Sequence, residues 1–317
     1  MKIVVLDGYT MNPGDLGWAA LEAFGDVVVY DDTPPELFAQ RAADADIVLT
    51  NKTPIKQNEL GAMKRVKYIG LMATGFDRVD VAAAKQMGIP VCNIPGYATT
   101  SVAQTVFALL LEIAHNTSAY DRAVKNGEWE DNLELCCKLP LFELAGLTMG
   151  IVGFGGIGRK TAQIARAFDM NVLASTDYPD EREEGVDFVS MDELLTRADV
   201  ISLHKPLNAQ TRGMIDSKAI AKMKDGVILI NTARGALIDE AALREALCSG
   251  KVAAAGLDVV AVEPMRADSV LHGAKNTVIT PHIGWAPRQA RARALQMSAD
   301  NLKAFLDGKT QNCVNGL

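Results

Sequence analysis

Histidine is scarce in this 317-residue chain, which holds only four, so a proton-transferring imidazole must be sought among His115, His204, His272 and His282. Cysteine is limited to Cys92, Cys136, Cys137, Cys248 and Cys313, an odd set without metal-ligand spacing. That excludes a disulfide framework, points to reduced and mostly packed thiols, and leaves no metal to be expected. No apolar run approaches the length that crosses a bilayer, so no membrane association is expected. Cationic side chains are not in excess, and the net charge of −7 argues against a nucleic-acid partner. Residues 1–7 read as a strand, with neither the apolar core nor the cleavage site of a signal peptide, and the expectation is a cytoplasmic protein. Neither a repeat nor a low-complexity stretch is present.

Apolar residues make up 49% and charged residues 22%, ordinary for a globular chain whose length allows two cores. Apolar runs at 3–6, 27–30, 47–50, 68–72 and 91–94 alternate with helical patterns such as 35–43 and 79–87. This is the signature of a parallel α/β unit. A helical stretch over about 100–120 reads as a link between domains. The alternation then restarts, with strands expected at 148–153, 171–175, 200–204, 227–231, 253–259 and 277–280. The helical tail 287–306 can return to the first domain. The expected fold is therefore α/β, with two doubly wound parallel-sheet domains, a Rossmann-like domain at 100–287 being inserted into a discontinuous domain at 1–99 and 288–317. Residues 127–145 form a loop-rich connection.

Residues 150–158 read Gly-Ile-Val-Gly-Phe-Gly-Gly-Ile-Gly between an apolar run and a helical pattern, which is the context a dinucleotide fingerprint requires. Gly153 permits a tight turn, Gly155 lets backbone approach a pyrophosphate, and Gly158 lets the helix pack on its sheet; Gly156 and Ile157 complete the loop. The helix N–H groups then face the anion. Asp177, after the next strand, can accept hydrogen bonds from ribose hydroxyls. Its charge, with Asp180, Glu181, Glu183 and Glu184 nearby, opposes a 2′-phosphate and favours NAD over NADP, with Arg182 as the opposing feature.

In open parallel sheets ligands sit beyond the carboxyl ends of the strands. Polar residues there include Thr74-Gly75, Thr232-Ala233-Arg234, Asp258 with Glu263, and His282. A 2-oxo acid needs a clamp for its carboxylate and an acid for its carbonyl oxygen. Arg234 offers a bidentate fork, and His282 can give and take the proton. Glu263, bonded to the far imidazole nitrogen, would orient the ring and support its protonated form. His204, in His204-Lys205-Pro206-Leu207, can face the nicotinamide ring, whereas His115 and His272 read as structural.

Together these segments, with Ala73-Thr74-Gly75-Phe76-Asp77, Ser101-Val102-Ala103-Gln104 and Pro281-His282, resemble the D-isomer-specific 2-hydroxyacid dehydrogenase family over nearly the whole chain. The resemblance implies a hinged pair of flavodoxin-like and Rossmann-like domains, NAD-linked hydride transfer and a homodimer. It gives Arg234 the substrate carboxylate, His282 the proton and Glu263 the partnership with His282. Asp258 would hold the nicotinamide carboxamide, Lys205, Pro206, Thr232 and Ala233 would flank the cofactor, and backbone N–H groups at Thr74-Gly75 would bind the carboxylate. Gly156 departs from the larger polar or basic residue common in relatives.

Asn51-Lys52-Thr53 and residues 101–104 are similar to the glycerate dehydrogenase or hydroxypyruvate reductase branch, which adds Asn51 and Lys52 to the expected substrate contacts. The expected reaction is reduction of hydroxypyruvate or glyoxylate, or D-glycerate oxidation in reverse. Two alternatives stand beside it: a phosphoglycerate dehydrogenase-type activity, for which Lys52 and Arg78 supply cations, and a non-catalytic NADH-sensing interaction protein.

Overall fold

Ile47–Thr50 and Tyr68–Leu71 are buried along their whole length, the pattern of strands covered on both faces of a parallel sheet. The computed structural model describes residues 1–179 and 183–317; Asp180, Glu181 and Arg182 lie outside the described residues. The chain divides into two compact units, residues 1–98 with 285–317, and residues 99–284.

In the first unit, β1 (Lys2–Val5), β2 (Asp26–Val29), β3 (Ile47–Thr50), β4 (Tyr68–Leu71) and β5 (Val91–Cys92) form a five-stranded parallel sheet in the order β2-β1-β3-β4-β5. Val4, Leu6, Val48, Ile69 and Val91 meet Phe38, Leu60 and Ala84 from the covering helices in one core. The C-terminal helix Arg288–Leu306 lies against β4, with Phe305 and Tyr68 ring centroids 5.0 Å apart. Its first turn is held by Arg291, which donates from both terminal nitrogens to the Asp15 carboxylate at 2.7 Å. Trp285, Ala286 and Pro287, expected in the inserted domain, belong to this first unit.

The second unit is built on β6 (Thr148–Val152), β7 (Asn171–Ser175), β8 (Asp187–Phe188), β9 (Val200–Leu203), β10 (Val227–Asn231), β11 (Val252–Leu257) and β12 (Thr277–Ile279), all parallel, in the order β12-β11-β10-β9-β6-β7-β8. Each unit is thus a doubly wound α/β sheet, with order reversals that mark the expected crevices.

The helix Thr99–His115 differs from the expected linker. Its Val106, Phe107, Leu109 and Leu110 are buried with Met149, Ile151 and Ile230, so it is an integral layer of the second unit and Thr99 starts it. A continuous apolar face does not distinguish a linker from a core helix; what it packs on does. The two-residue strand β8 is too short to leave a periodic signal, and residues 133–137 of the loop-rich connection form a 3₁₀ turn.

Candidate active site

Strand order places most of the polar residues of interest in a row along the carboxyl edge of the second sheet. Crossing from β12 through β11, β10, β9 and β6 to β7, the loops carry His282, then Asp258 and Glu263, then residues 232–234, then His204 and Lys205, then the glycine turn, and finally Asp177. Neighbouring strands lie about 4.8 Å apart. The arginine, glutamate and histidine therefore leave from three adjacent strands although 48 residues (282 − 234) separate the outer two.

The glycine turn is dictated by space. Gly153 adopts φ +96°, and a Cβ there would sit 2.9 Å from the backbone of His204 and Lys205. A side chain at Gly158 would strike the Gly153 carbonyl, which fixes the helix Gly156–Ala167 against its strand. At Gly155, the N-cap of that helix, nothing lies within 4 Å of an added Cβ. Gly156 is nearly as open, with Thr99 Oγ1 at 3.6 Å. Four N–H groups at a helix start lack intrahelical partners, and here they border open space shaped by glycine. Thr232 Oγ1, two loops away, is buried without a hydrogen-bond partner. These features fit a bound dinucleotide: an anion cradle at the helix start and an unused hydroxyl near the other end of the row.

Asp177 is 74% exposed and its carboxylate pairs with Lys205 Nζ at 2.7 Å, joining the ends of β7 and β9 across β6. Sequence reading does not anticipate this ion pair. Ile157 lies in the first turn of the helix Gly156–Ala167, beside the glycines, and Pro206 follows Lys205 in the loop after β9. His204 Nε2 is 2.9 Å from Ser202 Oγ, and desolvation lowers its pKa to about 4, so the ring is neutral at neutral pH.

The loop after β10 is folded by Asn231, which is fully buried: its Oδ1 accepts from Ala233 N at 3.0 Å and its Nδ2 donates to the Arg234 carbonyl at 2.9 Å. Gly235 then packs so closely on the Val260 backbone that no side chain fits. This contact seats the arginine loop on the loop that leads to Glu263. Arg234 is half-buried and donates from Nη1 to Ala233 O at 2.8 Å.

His282 occupies the left-handed region at φ +57°, a conformation that costs a non-glycine residue of order 1 kcal/mol. Asp258 offsets that cost. Its buried carboxylate accepts from Thr280 Oγ1 at 2.6 Å, Ile283 N at 2.8 Å and Gly284 N at 2.8 Å, clamping the backbone on both sides of the histidine. Held this way, His282 Nδ1 lies 2.7 Å from Glu263 Oε2, with both side chains about three-quarters covered. One ring nitrogen is thereby committed to the carboxylate, and Nε2 is the atom left to meet a ligand. His115 ends the helix Thr99–His115, and His272 Nε2 contacts the Arg266 carbonyl at 2.9 Å.

In the first unit the candidates follow β3 and β4. Buried Asp7, at the end of β1, accepts from the backbone N–H groups of Asn51 (2.8 Å), Lys52 and Thr53 (2.6 Å), so one carboxylate shapes the whole turn. Sequence reading misses this role, because it depends on a strand pairing 44 residues distant. Asn51 Nδ2 is buried without a partner, and Lys52 Nζ stands 5.4 Å from the Trp285 ring centroid. Thr74 is tied down by Thr74 Oγ1 to Ile94 O at 3.1 Å and by Asn93 Nδ2 to Thr74 O at 2.7 Å, with Gly75 next in the turn.

Residues 107–284 match the model of the D-isomer specific 2-hydroxyacid dehydrogenase, NAD binding domain. The chain belongs to the D-2-hydroxyacid dehydrogenase family, and its second unit is the NAD-binding domain. Among curated relatives, a hydroxypyruvate reductase of Blautia hydrogenotrophica is 50% identical over 321 aligned positions, covering 99% of this chain and all of that one. A glycerate dehydrogenase of Methylorubrum extorquens is 40% identical over 90% of each chain. Among solved structures, a D-lactate dehydrogenase of Aquifex aeolicus in complex with NAD and lactic acid superposes with a TM-score of 0.84 at 30% identity, over 98% of this chain and 96% of that one.

Proposed function

We propose that this NAD-dependent oxidoreductase reduces hydroxypyruvate or glyoxylate, and oxidises D-glycerate in reverse. The observation that carries the reading is the 2.7 Å contact between His282 and Glu263 on the loops next to Arg234. The whole-length likeness to a hydroxypyruvate reductase supports the substrate class.

When bound, the nicotinamide supplies a hydride to the carbonyl carbon of the oxo acid. Arg234 pairs with the substrate carboxylate and orients the carbonyl. His282 donates a proton from Nε2 to the carbonyl oxygen and takes it back in oxidation, while Glu263 holds Nδ1 and fixes the ring's angle. Asp258 keeps the histidine loop in place, and its remaining acceptor capacity can serve the carboxamide. Thr232 Oγ1 meets the cofactor, as do Ala233, His204 and Pro206, while the N–H groups from Gly155 to Gly158 receive the pyrophosphate. Asp177 accepts from the ribose and opposes a 2′-phosphate.

Asn51, Lys52, Thr74 and Gly75 make residues 1–98 with 285–317 the substrate-binding unit. A homodimer in the cytoplasm completes the proposal; exposed Trp129 and Leu133 supply apolar surface on the NAD-binding unit. Steady-state kinetics with hydroxypyruvate, glyoxylate, pyruvate and 3-phosphohydroxypyruvate test the substrate reading. The highest kcat/KM belongs to hydroxypyruvate or glyoxylate; a preference for the phosphorylated acid, or tight NADH binding without turnover of any, overturns it.

A further inference from the structure

Two of the five cysteines face one another across a strand pair at the end of the first sheet. Residues 312–315 run antiparallel to β5, and an isolated bridge sets Cys313 opposite Cys92. Asn93 N donates to Asn312 O at 3.1 Å and Val314 N donates to Val91 O at 2.8 Å. These bonds bracket the cysteine pair rather than pass through it, which makes Cys92 and Cys313 a non-hydrogen-bonded pair. At such positions the Cα atoms approach to about 4.5 Å with both side chains on one face, inside the range of roughly 4.4–6.8 Å that disulfides span.

We propose that Cys92 and Cys313 form a dithiol site that a hydroperoxide converts into a cross-strand disulfide. The two thiols divide the work. Cys92 is buried, and burial first, with the Cys313 sulfur second, pushes its thiol up to about 12. Cys313 is half-exposed; burial opposes its ionisation, but backbone N–H groups of Leu317, Asn315, Gly316 and Val91 outweigh it and hold the thiol below its ordinary value. Cys313 is therefore the attacking sulfur.

Its thiolate takes the terminal oxygen of the hydroperoxide, the O–O bond breaks, and the alkoxide (hydroxide, for hydrogen peroxide) leaves and is protonated. Cys313 is then a sulfenic acid. The Cys92 sulfur gives up its proton and attacks Cys313 Sγ; the S–O bond breaks, and the departing hydroxide takes that proton as water. Two thiols and one hydroperoxide become one disulfide, one alcohol (or water) and one water, with two electrons passing from sulfur to oxygen.

The site is held ready by the asparagines around it. Asn315 Oδ1 accepts from Val91 N at 3.1 Å and from the Cys313 thiol at 3.0 Å, Asn315 Nδ2 donates to Ile89 O at 2.8 Å, and Asn312 Nδ2 donates to Asn301 Oδ1 at 2.9 Å. The disulfide would add a covalent tie to the hydrogen bonds and the Val314 packing that now join the tail to β5 and its core. Cys136 and Cys137 are also close, Sγ to Sγ 3.6 Å, but both are exposed on neighbouring residues, where a bridge must distort the intervening peptide.

Full-length protein is treated with hydrogen peroxide, its remaining thiols are alkylated, and its peptides are mapped without reduction. The expected result is a dithiothreitol-reversible link between the Cys92 and Cys313 peptides, with Cys313 protected from alkylation about tenfold faster than Cys248. In Cys313→Ser the link is absent, and Cys92 is recovered as a free thiol after unfolding, with turnover unchanged. Recovery of Cys92 and Cys313 unlinked in the wild type overturns the proposal, whether Cys313 is then reduced or over-oxidised.

Discussion

His282 Nδ1 and Glu263 Oε2 are 2.7 Å apart, and the histidine reaches that contact from a left-handed backbone conformation clamped by Asp258. The pair defines which imidazole nitrogen faces a ligand. Replacing His282 by Ala is expected to lower kcat by about 10²- to 10⁴-fold, the usual contribution of a positioned acid–base group. NADH affinity, followed by fluorescence titration, stays close to that of the wild type. Glu263→Gln keeps a hydrogen-bonding group but not the charge, and its loss in kcat is smaller than that of His282→Ala.

Arg234 offers a planar fork that lysine cannot reproduce. Arg234→Lys is expected to reduce kcat/KM for a 2-oxo acid by about 10- to 100-fold, the equivalent of one charge-assisted hydrogen bond. Unaltered kinetics would separate this residue from the substrate carboxylate.

The Asp177–Lys205 ion pair makes a prediction about the cofactor. Asp177→Ala removes a negative charge and leaves Lys205, 2.7 Å from it in the wild type, available to a 2′-phosphate. At about 4 Å one unit charge is worth roughly 1–4 kcal/mol near a protein surface, so kcat/KM with NADPH rises about tenfold or more. Wild-type preference for NADPH would contradict the role given to Asp177.

Gly153→Ala places a Cβ 2.9 Å from the His204 and Lys205 backbone at φ +96°. Left-handed strain of about 1–3 kcal/mol adds to that clash, so the melting temperature falls and NADH binding weakens together. Gly88→Ala, also at positive φ but with open space around it, is the control: it loses some stability but not cofactor affinity.

Desolvation lowers the His204 pKa to about 4 in the folded protein, against about 6.5 in an unfolded chain. Between those values the unfolded state binds more protons, so the contribution to stability is complete above about pH 6.5 and is lost as pH falls toward 4. Asp15, lowered first by its hydrogen bond to Arg291, contributes above its ordinary carboxylate range and loses that contribution in stronger acid, outside this window. The imidazole resonances of His204 report the result directly. They should stay in the neutral form at pH 5.5; a midpoint near 6.5 would contradict the desolvation of this half-buried ring.

The alternation of apolar runs is visible in sequence because strands covered on both faces need continuous Val, Ile and Leu, as in β3, β9 and β10. The positions of Arg234, Glu263 and His282 at strand ends are visible for the same reason. What holds them is not. Asp258 bonds to a loop more than twenty residues later, Asp7 to one more than forty later, and Gly235 is required by a backbone it meets only after β10 and β11 have paired. These are long-range contacts between ordinary residue types, and no local pattern encodes them. The helix Thr99–His115 was legible as a helix, but its place in the second unit depends on the core it completes.

The most direct test of the account is transfer of label from NADH deuterated at C4 to hydroxypyruvate, measured as deuterium at C2 of the product. The wild type is predicted to give labelled D-glycerate, with His282→Ala forming it at least a hundredfold more slowly. Labelled product at the wild-type rate from His282→Ala, or none from the wild type while NADH is bound, would contradict it.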